Sequence, residues 1–198
     1  MEYRYITDNN LENRQSYQYS EFQGERFLAA YKESRNALVL KGAPVIQKKE
    51  IADYCANIAE NYYQKPVKQE YVVLRYELCA FLHAILNENN KNAEEQEFAM
   101  FDKIVKTFEV RKRLYHCYNG GFRPLDESDF YDCGLYLLFA CGLVFAYKEK
   151  RNLKYLNALL KANDALISLA GRLNDFELAM LRYALSEETR MVQAFYRI

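Results

Sequence analysis

Ionisable side chains are gathered most densely in one segment of the sequence, RKRLYHCYNGGFRPLDESDFYD, which covers residues 111–132. Its bases and its histidine come first and its acids follow: Arg111, Lys112, Arg113, His116, Arg123, Asp126, Glu127, Asp129 and Asp132. Arginine and histidine together can hold an anion or transfer a proton. A structured connection with this composition is a common position for functional groups. We therefore predict a ligand-binding surface here that uses Arg113, Tyr118, Arg123 and Asp126.

A purely structural explanation of the same segment stays open. Cations are favourable in the last turn of a helix, and anions are favourable in the first turn of the next helix. If one helix ends near Arg113 and another begins near Asp126, the two helix ends face each other across a single connection. The charges would then stabilise helix dipoles and bind nothing.

Metal and cofactor chemistry is not indicated elsewhere in the sequence. There are two histidines, and neither is part of a Glu-x-x-His pair; we interpret His83 as structural. The five cysteines contain no C-x-x-C spacing and fall in apolar stretches, as reduced, buried thiols do. Glycine-rich phosphate loops and the G-x-S-x-G elbow are also missing. We therefore expect no bound metal and no cofactor.

The spacing Arg111-x-x-x-x-His116, followed by Tyr118, an acidic stretch and a long apolar helix, resembles the R-x(4–6)-H motif of HEPN-type helical bundles. The resemblance implies a metal-independent ribonuclease in which His116 acts in acid–base catalysis and Arg111 contacts the phosphate. On a straight helix these two residues would lie far apart around the axis, so the helix must bend or end between them. Two further helices also follow here, whereas the family's motif precedes its last long helix.

The apolar spacing predicts an all-α protein, an antiparallel bundle of about seven helices around a central apolar helix at about residues 129–149. Residues 1–20 are predicted to be an N-terminal arm, and residues 21–198 a single helical domain. The predicted helices cover about residues 20–40, 45–64, 66–86, 92–119, 128–149, 153–172 and 174–196. The central helix is apolar on every side, so the others should surround it.

Particular residues set the predicted helix ends and contacts. Asn92 with Glu95 and Asn174 with Glu177 have capping-box spacing, and Asp126 or Ser128 is expected to cap the central helix. A seam of small residues on that helix should admit a close neighbour: Gly134, Cys141, Gly142 and Ala146. Asn163 falls within the apolar face of the next helix, where it must find a hydrogen-bond partner. We expect it to fix helix packing and not to bind a ligand.

A second resemblance lies in the segment KYLNALLKANDALISL. It is similar to stretches in small uncharacterised helical proteins of bacteria whose genes accompany surface-carbohydrate genes. The likeness covers about the last 45 residues and implies a bacterial context without any catalytic residue.

Taken together, these patterns predict a cytoplasmic, tyrosine-rich helical protein that acts by binding, as a scaffold or accessory protein in a role such as surface-carbohydrate synthesis. The alternative is a HEPN-like ribonuclease or another His116-dependent enzyme. A protein partner, a second copy of the chain or a small anion are the expected ligands, and nucleic acid is expected only under the alternative. Lys and Arg balance Asp and Glu, and the longest charge-free apolar run, Cys133–Tyr147, has 15 residues, so we expect no membrane association.

Overall fold

The computed structural model of the protein describes residues 45–63, 71–86, 91–125 and 132–196. These residues form six α-helices, one two-stranded antiparallel sheet and one short 3-10 turn. In chain order the elements are α1 (Lys48–Tyr63), β1 (Tyr71–Val73), α2 (Leu74–Leu86), α3 (Lys91–Arg111), β2 (Cys117–Asn119), α4 (Cys133–Lys150), α5 (Leu153–Ser168), the 3-10 turn (Ala170–Arg172) and α6 (Asp175–Tyr196). The predicted arm at 1–20 and the predicted helix at about 20–40 lie outside the described residues.

The prediction of an all-α bundle around a central apolar helix is confirmed. Every residue of α4 from Leu135 to Tyr147 is buried, because α2, α5 and α6 all pack against it. Helix α3 packs on α2 and α5, and α1 packs chiefly on α2. A helix that is apolar all round has no face suited to water, so the amphipathic helices bury their apolar faces against it.

The small-residue seam on α4 brings a neighbour close at Gly142. A Cβ atom at this position would lie 2.8 Å from Cε2 of Phe101, which belongs to α3. The Phe101 ring in turn stacks on Phe81 of α2, with 4.0 Å between the ring centroids. Glycine therefore allows an aromatic ring to lie directly on the central helix, where a methyl group would force the packing apart.

Two predicted helices are shorter than expected, because the chain forms a small sheet instead. The helix predicted over 66–86 begins at Leu74, and the helix predicted over 92–119 ends at Arg111. Tyr71–Val73 and Cys117–Asn119 pair antiparallel, with Val72 opposite Tyr118. Aromatic and β-branched residues favour strands, and their pairing partner comes from a distant part of the chain, so the helical periodicity is overridden.

The ends of three helices show which capping predictions hold. The box of Asn174 and Glu177 is confirmed: the Glu177 N–H donates to Asn174 Oδ1 at 2.9 Å and the Asn174 N–H donates to Glu177 Oε2 at 3.0 Å. The predicted cap of the central helix is wrong, since α4 begins at Cys133 and Asp132 accepts the N–H of Leu135 at 3.1 Å. Helix α5, which is predicted to run to about residue 172, ends at Ser168, and the 3-10 turn Ala170–Arg172 follows it.

None of the helices in the described ranges combines the length and the apolar character that a membrane crossing requires. The five cysteines all lie within the described ranges, and no disulfide joins any of them.

Candidate functional site

The segment after α3 is a compact hairpin, residues 112–125, whose backbone is tied on both sides of β2. On one side β1 pairs with β2, and the pairing continues as the Leu74 N–H donates to the His116 carbonyl at 2.8 Å. On the other side the Asn119 N–H donates to the Arg123 carbonyl at 2.9 Å, and the Leu125 N–H donates to the Cys117 carbonyl at 3.0 Å. The backbone of the hairpin is therefore bonded along both edges of β2.

The turn of the hairpin is built around Asn119. Its Oδ1 atom accepts the N–H groups of Gly121 and Arg123, each at 3.0 Å. An Asn side chain that bonds the backbone two residues ahead is a recurrent way to fold a tight turn. At the other end of the hairpin Lys112 adopts a left-handed conformation with φ 58°, and its N–H donates to the Phe108 carbonyl at 2.7 Å. This conformation terminates α3 immediately after Arg111.

Tyr118, predicted to bind a ligand, lies in the interior of the hairpin. Its side chain is 1% exposed, its hydroxyl accepts the N–H of Tyr115 at 3.0 Å, and its ring stacks on Phe122 with centroids 4.8 Å apart. Burial raises the pKa of Tyr118 to about 12. The Tyr136 hydroxyl accepts the Leu114 N–H in a similar way, at 3.2 Å. These tyrosines support the backbone of the hairpin.

The carboxylate of Asp132 joins the hairpin to two helices. Nη2 of Arg75 lies 3.1 Å from Oδ2 and 3.3 Å from Oδ1, and Nδ1 of His116 lies 3.7 Å from Oδ2. Oδ1 also caps α4. The Asp132 side chain is 17% exposed, whereas those of Arg75 and His116 are 39% and 47% exposed. One carboxylate thus accepts a helix-end N–H group and faces two basic side chains.

Glu177 of α6 approaches the same place, and Gly134 leaves room for it. A Cβ atom on Gly134 would lie 3.0 Å from Arg75 Nη2, 3.3 Å from Asp132 Oδ1 and 3.8 Å from Glu177 Oε1. The first turns of α2, α4 and α6 therefore meet here. We call Arg75, His116, Asp132 and Glu177 the polar cluster. Arg75 and Glu177 are not evident from the sequence as site residues, because they belong to helices distant from 111–132 in the chain.

Two further polar groups border the polar cluster. Burial raises the pKa of the Cys133 thiol, and the charges of Glu177 and Asp132 raise it further. The pKa of Tyr54 on α1 is also raised by burial, against the lowering effect of Arg75. A reactive cysteine needs a lowered pKa, because the thiolate is the nucleophile. The raised pKa of Cys133 therefore disfavours a nucleophilic role for that thiol.

The predicted site residues do not all meet. Arg111 and Arg123 are exposed, and the Arg113 guanidinium lies 5.4 Å from the centroid of the Tyr115 ring. His116 is joined to Asp132, while Asp126 lies outside the described residues. Because α3 ends at Arg111, one condition of the HEPN resemblance is met: no continuous helix separates Arg111 from His116 on opposite sides.

A second polar site, of which the sequence indicates only Asn163, lies between α5 and α6. Asn163 is fully buried, as expected, and its Nδ2 donates to Oε2 of Glu188 at 2.6 Å. Glu188 is also fully buried, and burial raises its pKa well above the usual range of a carboxyl. The sequence does not indicate that this glutamate is buried. It is the second of two adjacent glutamates on an amphipathic helix, and such a pair is typical of a solvent-exposed face. We call Asn163 and Glu188 the buried pair.

Among the described residues, no group of three or more His, Cys, Asp or Glu side chains is arranged to hold a metal ion. In comparisons with known proteins, no family model matches the chain, and no curated protein or solved structure is significantly similar to it. Function must therefore be argued from the hairpin and the polar cluster themselves.

Proposed function

We propose that this protein acts by binding, as a scaffold or accessory protein, and that it contacts an acidic protein partner through the hairpin and the end of α3. The charge of residues 111–125 carries this proposal. They include Arg111, Lys112, Arg113 and Arg123 and no acidic residue. A local excess of positive charge attracts a negatively charged partner and speeds its approach.

The rigidity of the hairpin supports the same proposal. Backbone hydrogen bonds on both sides of β2 and the packed ring of Tyr118 restrain the backbone of the hairpin. A preorganised surface loses little conformational entropy when it binds. Leu125, which is 55% exposed beside Arg123, adds an apolar contact that suits a protein partner better than a small inorganic anion.

The proposed setting is the cytoplasm, since the sequence suggests reduced thiols. The C-terminal segment resembles bacterial proteins encoded beside surface-carbohydrate genes. We therefore propose that the partner is a protein of surface-carbohydrate synthesis. The polar cluster would lie beneath the binding surface, where the Asp132 carboxylate bonds Arg75 of α2, caps α4 and lies 3.7 Å from His116 Nδ1.

The proposal can be tested with a fluorescent oligoglutamate peptide as the probe. We expect the wild-type protein to bind it at low salt and to release it at high salt. Arg111→Gln and Arg123→Gln should each weaken binding by about 3- to 10-fold, as loss of a rim charge does. Lys103→Gln is the matched control, because Lys103 is an exposed cation on α3 outside residues 111–125.

Two results would contradict this function. One is the absence of peptide binding at low salt, and the other is an equal loss of affinity in the Lys103→Gln control. Displacement of the peptide by pyrophosphate at an ionic strength at which sodium chloride leaves the peptide bound would assign the surface to a small anion and overturn the protein partner.

A second candidate, a His116-dependent ribonuclease, is favoured by one observation. Nδ1 of His116 faces Asp132, so Nε2 lies on the opposite edge of a ring that is 47% exposed. A carboxylate beside an imidazole nitrogen is a recurrent feature of general acid–base sites. Wild type and His116→Ala should be incubated with a mixed set of RNAs. Cleavage by the wild type that is lost in the variant would support the enzyme, and equal behaviour would remove it.

A further inference from the structure

The hairpin and β1 together form a small three-stranded sheet. On one side β2 pairs with β1, where Val72 lies opposite Tyr118. On its other side β2 pairs with the returning strand of the hairpin, where Tyr118 lies opposite Pro124. Successive side chains of a strand point to opposite faces of a sheet, so this pairing assigns each residue to one of two faces.

One face of this sheet is turned towards the core. Val72, Tyr118 and Pro124 lie side by side on it, because residues opposite each other in antiparallel strands share a face. Tyr118 is buried, and Val72 is partly buried and packs against the core. The other face, which we call the outer face, consists of two rows of three residues: Tyr71, Asn119 and Arg123 in one row, and Val73, Cys117 and Leu125 in the other.

The outer face combines exposed apolar side chains with a cation. Tyr71 is 43% exposed, Leu125 is 55% exposed, and Arg123 is exposed on the same strand as Leu125. Within the part of the chain that the structure describes, four large hydrophobic side chains are strongly exposed, and two of them are on this face. No acidic residue belongs to it. Apolar side chains that share an exposed face mark a contact surface.

The outer face has larger side chains at its borders and smaller ones along its middle. Tyr71 is on one outer strand and Arg123 and Leu125 are on the other, so two strand spacings, about 10 Å, separate the borders. The middle strand carries Cys117 and Asn119, and the Asn119 side chain is bonded to backbone N–H groups of its own turn. A side chain of the size of leucine fits between such borders.

We propose that the outer face receives an apolar side chain of the acidic partner, between Tyr71 and Leu125, while Arg123 and the other cations of the hairpin face acidic residues on either side of it. This inference rests on the proposed function and adds what the partner must contain: one apolar residue flanked by acids. Charge complementarity mainly speeds the encounter, whereas burial of an apolar anchor beside tyrosine and arginine supplies affinity for one acidic segment over others.

The experiment compares two fluorescent peptides of equal charge on the full chain at low salt. One is an oligoglutamate with a single central leucine, and the other has serine in its place. We expect the wild-type protein to bind the leucine peptide about 10-fold more tightly, because part of the leucine side chain leaves water. The ratio of the two affinities measures the apolar contact, and the affinity for the serine peptide measures the charge contact.

Substitutions locate the apolar contact on the outer face. Tyr71→Thr and Leu125→Thr should each reduce the ratio to about 3-fold or less and leave the affinity for the serine peptide unchanged. Threonine is suited to a strand, so the sheet should be retained. Arg123→Gln should weaken both peptides and keep the ratio. Val45→Thr is the matched control, because Val45 is 73% exposed and lies outside the sheet.

The wild-type ratio decides the inference even where a variant fails to fold. Equal binding of the two peptides would overturn the apolar contact and leave the proposed function standing, whereas binding of neither peptide would remove both. A ratio that falls as far in Val45→Thr as in Tyr71→Thr would show that the outer face is not the site. Light scattering that finds a wild-type dimer, lost in Tyr71→Thr, would assign the face to a second copy of the chain and overturn the acidic partner there.

Discussion

At the start of α4, the Asp132 carboxylate is contacted by two bases whose side chains are 39% and 47% exposed, whereas Asn163 and Glu188 between α5 and α6 are fully buried. Both sites place a carboxylate where helices meet. At the polar cluster, water can replace a lost partner. At the buried pair it cannot, because no solvent reaches either side chain. An unmade hydrogen bond to a buried group costs far more than one near the surface.

The comparison separates two uses of polar residues. In the polar cluster several charged side chains contact one another near the surface, where each contact contributes little to stability. The buried pair contains a short hydrogen bond, 2.6 Å long, in surroundings that make it strong and make its loss costly in stability. The densest group of charges in the sequence therefore need not be the place where single substitutions matter most to stability.

The largest expected effect is on the buried pair. Asn163→Ala removes the donor to Glu188 and leaves a small cavity, so we expect it to lower the free energy of unfolding by about 3 kcal/mol at pH 7. Urea-induced equilibrium unfolding measures the change. Asn152→Ala is the control, since Asn152 only caps α5 at its exposed start and should cost about 1 kcal/mol. A smaller loss for Asn163→Ala than for the control would reverse the comparison.

The next effect is a dependence on pH. The raised pKa of Glu188 means that the folded state keeps the proton that the unfolded state releases above its pKa of about 4.3. This contribution to stability is present below that pH and is lost as the pH rises towards the folded-state pKa, by up to about 1.4 kcal/mol per pH unit. Glu188→Gln keeps the shape of the pair and cannot ionise. It should match the wild type at pH 4 and exceed it at pH 8.

The neighbouring residue provides a control with the opposite sign. Oε2 of Glu187 lies 2.7 Å from Lys148 Nζ and its Oε1 lies 2.8 Å from Arg190 Nη1. Glu187→Gln should therefore reduce stability at pH 8, where Glu188→Gln increases it. Chemical unfolding of both variants at pH 4, 6 and 8 tests the pair of predictions. An equal response of the two variants to pH would show that the burial of Glu188 is unimportant.

A smaller effect is expected at the polar cluster. Asp132→Ala removes the cap of α4 and the partially exposed contact with Arg75, for a loss of about 1.5 kcal/mol. Asp132→Asn retains a capping oxygen and should lose about 0.5 kcal/mol. Thermal unfolding distinguishes the two. If Asn costs as much as Ala, the charge of Asp132 matters more than its cap, and the two sites differ less than their exposure suggests.

The smallest effect is expected for His116→Ala. Its side chain is half exposed and lies 3.7 Å from the Asp132 carboxylate, so its removal should change the free energy of unfolding by less than about 0.5 kcal/mol. Urea-induced unfolding at pH 7 provides the measurement. A loss above about 1 kcal/mol would mean that the contact of His116 with Asp132 contributes more to stability than its exposure suggests.

How far the sequence predicts the fold depends on how local the determining contacts are. The central position of α4 follows from its own composition, and the Asn174–Glu177 box from a spacing of three residues. The pairing of β1 with β2 joins residues almost fifty positions apart in the chain. Helical periodicity alone therefore predicts α2 and α3 to be longer than they are. A local pattern cannot report a partner that only the folded chain brings close.

The candidate site shows the same division. The residues around His116 in the sequence identify it as a candidate. They predict only that Asp132 lies in the first turn of a helix, and nothing in the sequence indicates that Arg75 contacts Asp132. Tyr118 has the chemistry of a ligand-binding residue and lies inside the hairpin. Residue type predicts what a side chain can do, whereas its exposure depends on the tertiary packing.

The complete enclosure of α4 has a consequence for how the protein is made. Helices α5 and α6 cover much of its surface, and both follow it in the chain. During synthesis the apolar helix α4 therefore leaves the ribosome before α5 and α6, which cover two of its sides, have been made. Premature termination after residue 150 would leave the apolar surface of α4 exposed to water, and such fragments should aggregate or bind to chaperones.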